Sequence, residues 1–496
     1  MKKLFPSSSR LFITACLLAM SAAMIIVLDP WQQPVLSGTN NLPPAQATPT
    51  PYPCSSVATC PDAPVTTITS SQVPCDVCIP SSFPGPDNAI AFFDDYSWRS
   101  FIALVWPALE GHRGVPDTTK TVDGAGPRVF ETYKGLWELF HFDGSAPTPW
   151  NSYDPPAMNA CGVETGFNDL VLASFSKFSD LGQAGFGKLV GPLVAQNQTY
   201  VSYLTAYNQV EFDQITSNGW YLKAKLPSTI TFDPQSIDIK SAWMDMTKAR
   251  NPQRYYTRTA WVMDPMTGKC SQKLMGLVGL HIVQKTPTRP QWIWSTFEQV
   301  DNVPPAQPGA PGTYAFNDGT PKPMPSVNPY SVDPLPTPVP PPFNVTRTMP
   351  ISTLVVHGLP STVQTNTNYQ KALKAAGSVW QYYQLVMTQW PVPGNAPNNP
   401  GTPPFSFPGT GANTSFANIT METFDQNSIA LGGCMGCHNI TKTKTDFLWS
   451  LADHAFPPKV PSLLMTDPTF RELRTFIERS RTEKPPAKPK SNRKRR

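Results

Sequence analysis

Fourteen prolines fall between Pro304 and Pro342. Such a stretch can hold neither a helix nor an inner strand, because each ring removes a backbone donor and keeps the preceding residue out of helical angles. Any fold of this chain must therefore be a body interrupted by long extended connectors. Proline is 58 of 496 residues, against an ordinary share of about 5%. Proline and glycine together are 88 of 496, below the roughly 25–30% that marks a low-complexity chain. Charged residues are 15%, under the usual ~25%, which argues against nucleic-acid binding and against a charged disordered chain.

The charge is unevenly placed. Arg481 to Arg496 holds eight Lys or Arg and one Glu, and Lys2, Lys3 and Arg10 add three more positive charges. With a total of +5, the remainder is mildly acidic, and the basic tail reads as a solvated segment or as a dock for an acidic partner or anionic headgroups. Behind the first basic residues, Leu11 to Leu28 runs eighteen residues without a charge. This reads either as a signal peptide cut after Ser21-Ala22-Ala23 or as an uncleaved inner-membrane anchor. Either way the charge asymmetry places the rest outside the cytoplasm, in the periplasm. Ile13-Thr14-Ala15-Cys16 resembles a lipoprotein box, but its apolar core follows it instead of preceding it, so it is set aside.

Nine cysteines are present. Apart from Cys16 and the pair Cys434 and Cys437, six remain, an even number that in an exported chain suggests disulfides. Cys54–Cys60 and Cys75–Cys78 are the simplest local pairings and Cys161–Cys270 a long-range staple, although spacing leaves the connectivity open. Cys75-Asp-Val-Cys78 could also be a redox or zinc pair, but no second pair or histidine lies near it.

The organisation expected is α+β. Residues 1–28 are the signal or anchor, and 29–87 a Pro/Ser/Thr-rich linker with cysteines. An antiparallel β-rich body with flanking helices covers 88–303, a Pro-rich connector 304–348, and the body continues with a loop over 349–412. A small, mainly helical segment covers 413–480 and a basic tail 481–496. Phe92 to Trp106 reads as a helix stopped by Pro107, and Phe130 to Phe142 as a second. Arg254 to Met263 and Leu274 to Gln284, with the Asp264-Pro265 turn between them, read as a hairpin, and Gln291 to Glu298 as a third strand. Thr367 to Ala376 has a helical pattern and Val379 to Met387 a strand-like one.

Chemistry concentrates in Cys434-Met435-Gly436-Cys437-His438. The CxxCH pattern is the attachment signature of c-type haem. One helical turn brings two thiols to the two vinyl groups, and the next residue places an imidazole beneath the iron. Gly436, Gly432 and Gly433 allow a close backbone approach. Cys434 and Cys437 are thus the candidate thioether anchors and His438 the proximal iron ligand. A disulfide or zinc pair with an adjacent histidine is the competing structural reading. Phe447, Leu448, Trp449, Leu463 and Leu464 are candidates for an apolar wall. The sixth ligand decides between electron transfer and chemistry. Met465, in a loop before a helix capped by Asp467, is the first candidate and His454 the second. His281 or His357 from the body, or an open site, complete the set. His112, His141 and the cluster Trp380-Gln381-Tyr382-Tyr383 read as packing or surface groups.

Residues 413–479 resemble the c-type cytochromes, with the five motif positions intact. The remainder is similar to a group of uncharacterised exported bacterial monohaem proteins. The segments carrying that resemblance are Tyr96-Ser97-Trp98 through Trp106-Pro107, Leu277 to Val283 with Thr286-Pro287, and Trp292 to Glu298. The resemblance implies one covalent haem c with its iron and electron transfer, the redox partner being unnamed. Two alternatives stand beside it. One is a haem c enzyme with an open distal site, peroxidase- or oxidase-like. It could also be similar to the c-type enzymes whose haem is cross-linked to a lysine, although no lysine here can be matched to that link. The other is a non-catalytic sensor or surface module.

Overall fold

The computed structural model describes residues 54–56, 59–84, 89–174, 180–185, 190–265, 267–305, 314–332, 335–390, 417–426 and 433–457, which belong to one compact unit. The signal, Met465, Leu463, Leu464, the Asp467 helix, the Pro391–Pro408 loop and the basic tail lie outside the described residues.

The protein is α+β, built on a curled eight-stranded sheet that is mixed and not wholly antiparallel. The strands are β1 (Lys134–Gly135), β2 (Leu170–Val171), β3 (Val201–Tyr207), β4 (Ile237–Asp245), β5 (Thr257–Met263), β6 (Cys270–Thr286), β7 (Arg289–Gln299) and β8 (Tyr383–Gln389). One edge of β6 pairs with β4, and the other is shared between β5 along its first half and β7 along its second. β8 extends the sheet beyond β7, while β3 and β1 extend it beyond β4. The edge pair β2–β5 is parallel, which corrects the antiparallel expectation there. The hairpin and third strand read from the sequence are β5, β6 and β7. From Met275 onward both faces of β6 are covered, which accounts for its nearly continuous apolar run to Val283.

One face of the sheet is covered by α1 (Ile90–Leu104), with Phe101 stacked on Phe297 and Ser97 bonded to both Ser295 and Thr388. The helix α4 (Thr362–Ala375) packs beside it, where Tyr369 stacks on Trp98 and Asn366 bonds the Trp98 indole and the Leu385 backbone. A Ser361–Gln364 capping box opens α4 five residues ahead of the expected start.

Phe130 to Phe142 is not one helix. It is a 3-10 turn (Val129–Thr132), β1, and the short helix α2 (Leu136–Leu139). Lys134 and Gly135 are drawn into pairing with Tyr207 and Ala206, and Glu138 reaches back to cap the Gly135 amide and pair with Arg113. Likewise Val379–Tyr382 is a 3-10 turn before β8. Another helix, α3 (Gln209–Asn218), follows β3. Among the described residues of 304–342 there is neither helix nor strand.

The arm before α1 carries a correction. The disulfides are Cys54–Cys75 and Cys60–Cys78, so the local pairs cross instead of closing on their nearest neighbours, and Cys161–Cys270 forms as expected. Ser55 bridges Pro74, bonding both Val73 and Cys75, which sets Cys54 beside Cys75.

Asp94, in the first turn and a half of α1, is 1% exposed and accepts hydrogen bonds from Thr362 (2.7 Å) and Thr388 (2.8 Å). Burial raises its pKa from 3.8 to about 7, against the pull of those two bonds. Between these values the folded state binds the proton and the unfolded chain releases it, so stability falls as pH rises through that window. One such acid contributes a slope of at most about 1.4 kcal/mol per pH unit. Asp94→Asn is expected to flatten the slope of urea midpoints between pH 4.5 and 7. An unchanged slope would show that Asp94 is ionised in the fold.

Candidate functional site

The second face of the sheet carries three polar rungs. Tyr203, Ala242, Gly279 and Glu298 align across β3, β4, β6 and β7. Thr205, Lys240, His281, Thr296 and Met387 form the next rung, and Tyr207, Asp238, Val283, Trp294 and Gln389 the third. Period-two alternation puts all three on one side. The described residues of 417–457 lie along this side.

The first stretch, 417–426, is bolted to the first two rungs. Asn418 bonds Thr296 (2.9 Å) and Phe297, Glu298 accepts the Ile419 amide (2.7 Å), and Tyr203 donates to the Thr420 carbonyl (2.7 Å). The backbone runs so close to β6 that a Cβ on Gly279 would meet Thr420 Oγ1 at 2.3 Å, so no larger residue fits. Glu422 then meets His281 Nε2 at 2.8 Å.

The motif forms its own helical turn, α5 (Cys434–His438), entered through Gly433 at φ +66°. The Met435 amide donates to Gln389 (3.1 Å), and Cys434 packs against Met387. Both motif thiols are unpaired, so the competing disulfide is not formed. Burial pushes the Cys434 thiol up to about 12, with Glu422 adding to it, and holds Cys437 well above its ordinary value, with Asp425, Glu422 and Cys434 contributing. The His438 ring lies 4.3 Å from that of Trp294. Its Nδ1 meets the Phe447 carbonyl at 2.7 Å. A carbonyl can only accept, so Nδ1 carries the proton and Nε2 is left as the bare nitrogen. Nε2 makes no hydrogen bond among the described residues. Burial pushes His438 down to about 4 against that bond, and His281 and Lys240 add to the effect.

After α6 (Lys442–Thr445), Phe447 and Leu448 are buried in the main core. The last helix, α7 (Trp449–His454), sets Ser450 against Tyr207 and Asp238. His454 lies 6.1 Å from the Phe140 ring, and burial, with the charge of Lys240, pushes it down to about 4.

The structure thus brings Cys434, Cys437, His438 and His281 onto one face, with His454 reached by the same lysine. His357 packs edge-on against Phe83, in a separate apolar cluster with Phe92 and Trp390. His112 bonds the Glu110 carbonyl, and His141 sits between Ser145 and Asp154. Trp380 stacks on Tyr256 and contacts Tyr383 as core packing. Among the described residues, no three His, Cys, Asp or Glu side chains gather as a metal-holding group. No described helix is long and apolar enough to cross a membrane.

Sequence reasoning missed Lys240, Trp294, Met387, Gln389 and Glu422. The available signal was polar residues at alternate positions in strands otherwise apolar, notably Lys240 within Ile237–Asp245. Compared with known protein families, curated proteins and solved structures, the chain matches none.

Lys240 is a buried cation whose own pKa is lowered by burial, with Glu422 and Asp238 pulling the other way. Lys240→Met removes a like charge beside His454, so the His454 pKa is expected to rise from about 4 toward the ordinary value. NMR titration of the His454 ring protons checks this, and an unmoved midpoint would mean that Lys240's charge does not reach that ring.

Proposed function

We propose that the protein is an exported monohaem c-type cytochrome that carries electrons in the periplasm, either soluble or held at the inner membrane through residues 11–28. One observation carries the reading. In the helical turn Cys434–His438 the two thiols are unpaired, and the imidazole is fixed through Nδ1 so that Nε2 is the free donor. Metal-ligating histidines ordinarily donate their second ring N–H to a carbonyl or carboxylate in this way. The residues fit a covalently attached haem: Cys434 and Cys437 would hold its edge, and His438 would ligate its iron on the proximal side. When bound, that group supplies one-electron chemistry at the iron. Buried Trp294 and Phe447, which touch the imidazole through ring and carbonyl, would keep water from it. Three disulfides and the basic, then apolar, N-terminus support export. Met465 is the first candidate for the sixth ligand and His454 the second. The redox partner is a protein whose chemistry the chain does not specify, and no nucleic acid is involved.

The Glu422–His281 pair favours a second reading. It is an acid–base couple near the motif cysteines. Burial alone would raise the Glu422 carboxyl, yet His281 and Lys240 hold it below its ordinary value. That arrangement suits a haem c enzyme with an open distal site. A sensor or surface module has no comparable observation behind it.

Absorption spectra of the exported protein, oxidised and reduced, with and without carbon monoxide, separate these readings. The expected outcome is haem that survives acid–organic extraction and a low-spin spectrum indifferent to carbon monoxide. Cys434→Ala with Cys437→Ala should abolish the covalent attachment. A wild-type chain whose haem extracts freely would sink the proposal, and a high-spin spectrum that shifts with carbon monoxide would favour the enzyme.

A further inference from the structure

The carbonyl that fixes His438 belongs to a turn with an unusual backbone. Asp446 (φ +51°) and Phe447 (φ +73°) are consecutive left-handed residues, and neither is glycine. Such a pair persists only where its surroundings over-determine it. Here the surroundings belong to the sheet body. The Asp446 carboxylate forms a fully buried ion pair with Lys285 of β6, and its Oδ2 also accepts the Phe232 amide at 2.8 Å. The Asp446 carbonyl accepts the Trp292 indole N–H at 3.0 Å. The Leu448 amide returns to the Thr445 carbonyl at 3.1 Å and closes the turn. Three separate pieces of the body thus grip one residue, and the next carbonyl along the chain is the partner of His438 Nδ1.

A buried ion pair is a poor device for stability alone, since apolar side chains of similar volume usually serve as well. It does fix geometry, because neither charge tolerates losing its partner. We propose that Lys285 and Asp446 are positioning residues for His438: through the Asp446–Phe447 turn they aim the Phe447 carbonyl at Nδ1 and so hold the imidazole in the tautomer that presents Nε2. Only the consequence for an iron rests on the cytochrome reading, because the tautomer is a property of the chain itself. On that reading, a firm Nδ1–H bond makes the imidazole a stronger donor, and loosening it should raise the reduction potential.

The test uses the full chain in two forms. In the form without haem, nitrogen NMR of the His438 ring reports the tautomer. Wild type and Lys285→Arg are expected to show a single form with Nδ1 protonated, whereas Asp446→Asn and Lys285→Met should show loss of that single form. Trp292→Phe removes only the indole bond and serves where the charge variants do not fold; it should shift the ring in the same direction by less. If the folded variants keep the wild-type tautomer, the positioning role is overturned. In the haem-loaded form the same variants should shift the potential upward, with Lys285→Arg staying close to wild type; unmoved potentials would sever the turn from the iron. If the wild-type chain takes up no haem, the cytochrome reading falls, while the tautomer measurement still decides the positioning role.

Discussion

Strand β6 has both edges engaged: β4 runs along one, and the other is divided between β5 and β7. A 17-residue strand is long for a globular protein, where five or six residues are usual. Its length is what lets two branches of the sheet share one register. A one-residue slip would turn His281, Val283 and Lys285 toward α1 and bring Leu280, Ile282 and Gln284 to the motif side. The crossing from β5 to β7 is therefore guarded on both edges. Leu277 donates to the Tyr256 carbonyl and Tyr383 to the Leu277 carbonyl, while a bulge at Ala242–Trp243 absorbs the irregularity on the β4 side.

The two faces solve different problems with the same strands. Toward α1, Ser97, Ser100, Thr388 and Gln284 satisfy one another within an aromatic core. Toward 417–457 the strands present ionisable groups: Lys240, His281, Asp238 and Lys285 are met by Glu422, Ser450 and Asp446. Charges buried without partners are expensive, so this covering segment is tied to its place by more than apolar contact. The motif is therefore part of the body's second layer, and the body reaches the imidazole from several directions: the Trp294 ring, the Lys240 ammonium and the gripped turn.

What the sequence disclosed follows from how far apart the decisive partners are. The stop at Pro107, the Asp264 turn and the five motif residues are local signals, and the elements stand where those signals put them. Phe130 to Phe142 has helical periodicity, but β3, some seventy residues later, captures Lys134 and Gly135 into pairing. The arm disulfides cross because Ser55 bridges Pro74, a contact that spacing between cysteines does not encode. Lys285 and Asp446 are separated by 161 residues, and neither position hints at the other. The helical turn at Cys434–His438 was legible in the motif itself. The strand residues that meet it, Trp294, Met387 and Gln389, were not, since they depend on which side chains the fold brings across from the sheet.

The crossed arm and the motif together set a sorting problem for the thiols. Six cysteines are joined in defined pairs, and two stand as free thiols within the same chain. Exchange proceeds through the thiolate, so a thiol held far above the ordinary range is a slow attacker. In the folded protein burial holds Cys434 and Cys437 there. Once the segment is seated on the sheet, the fold itself keeps these two sulfurs out of disulfide exchange. Before that, nothing in the chain distinguishes them from the other six. Seating of the segment on the sheet is thus what separates these two thiols chemically from the six cysteines of the disulfides.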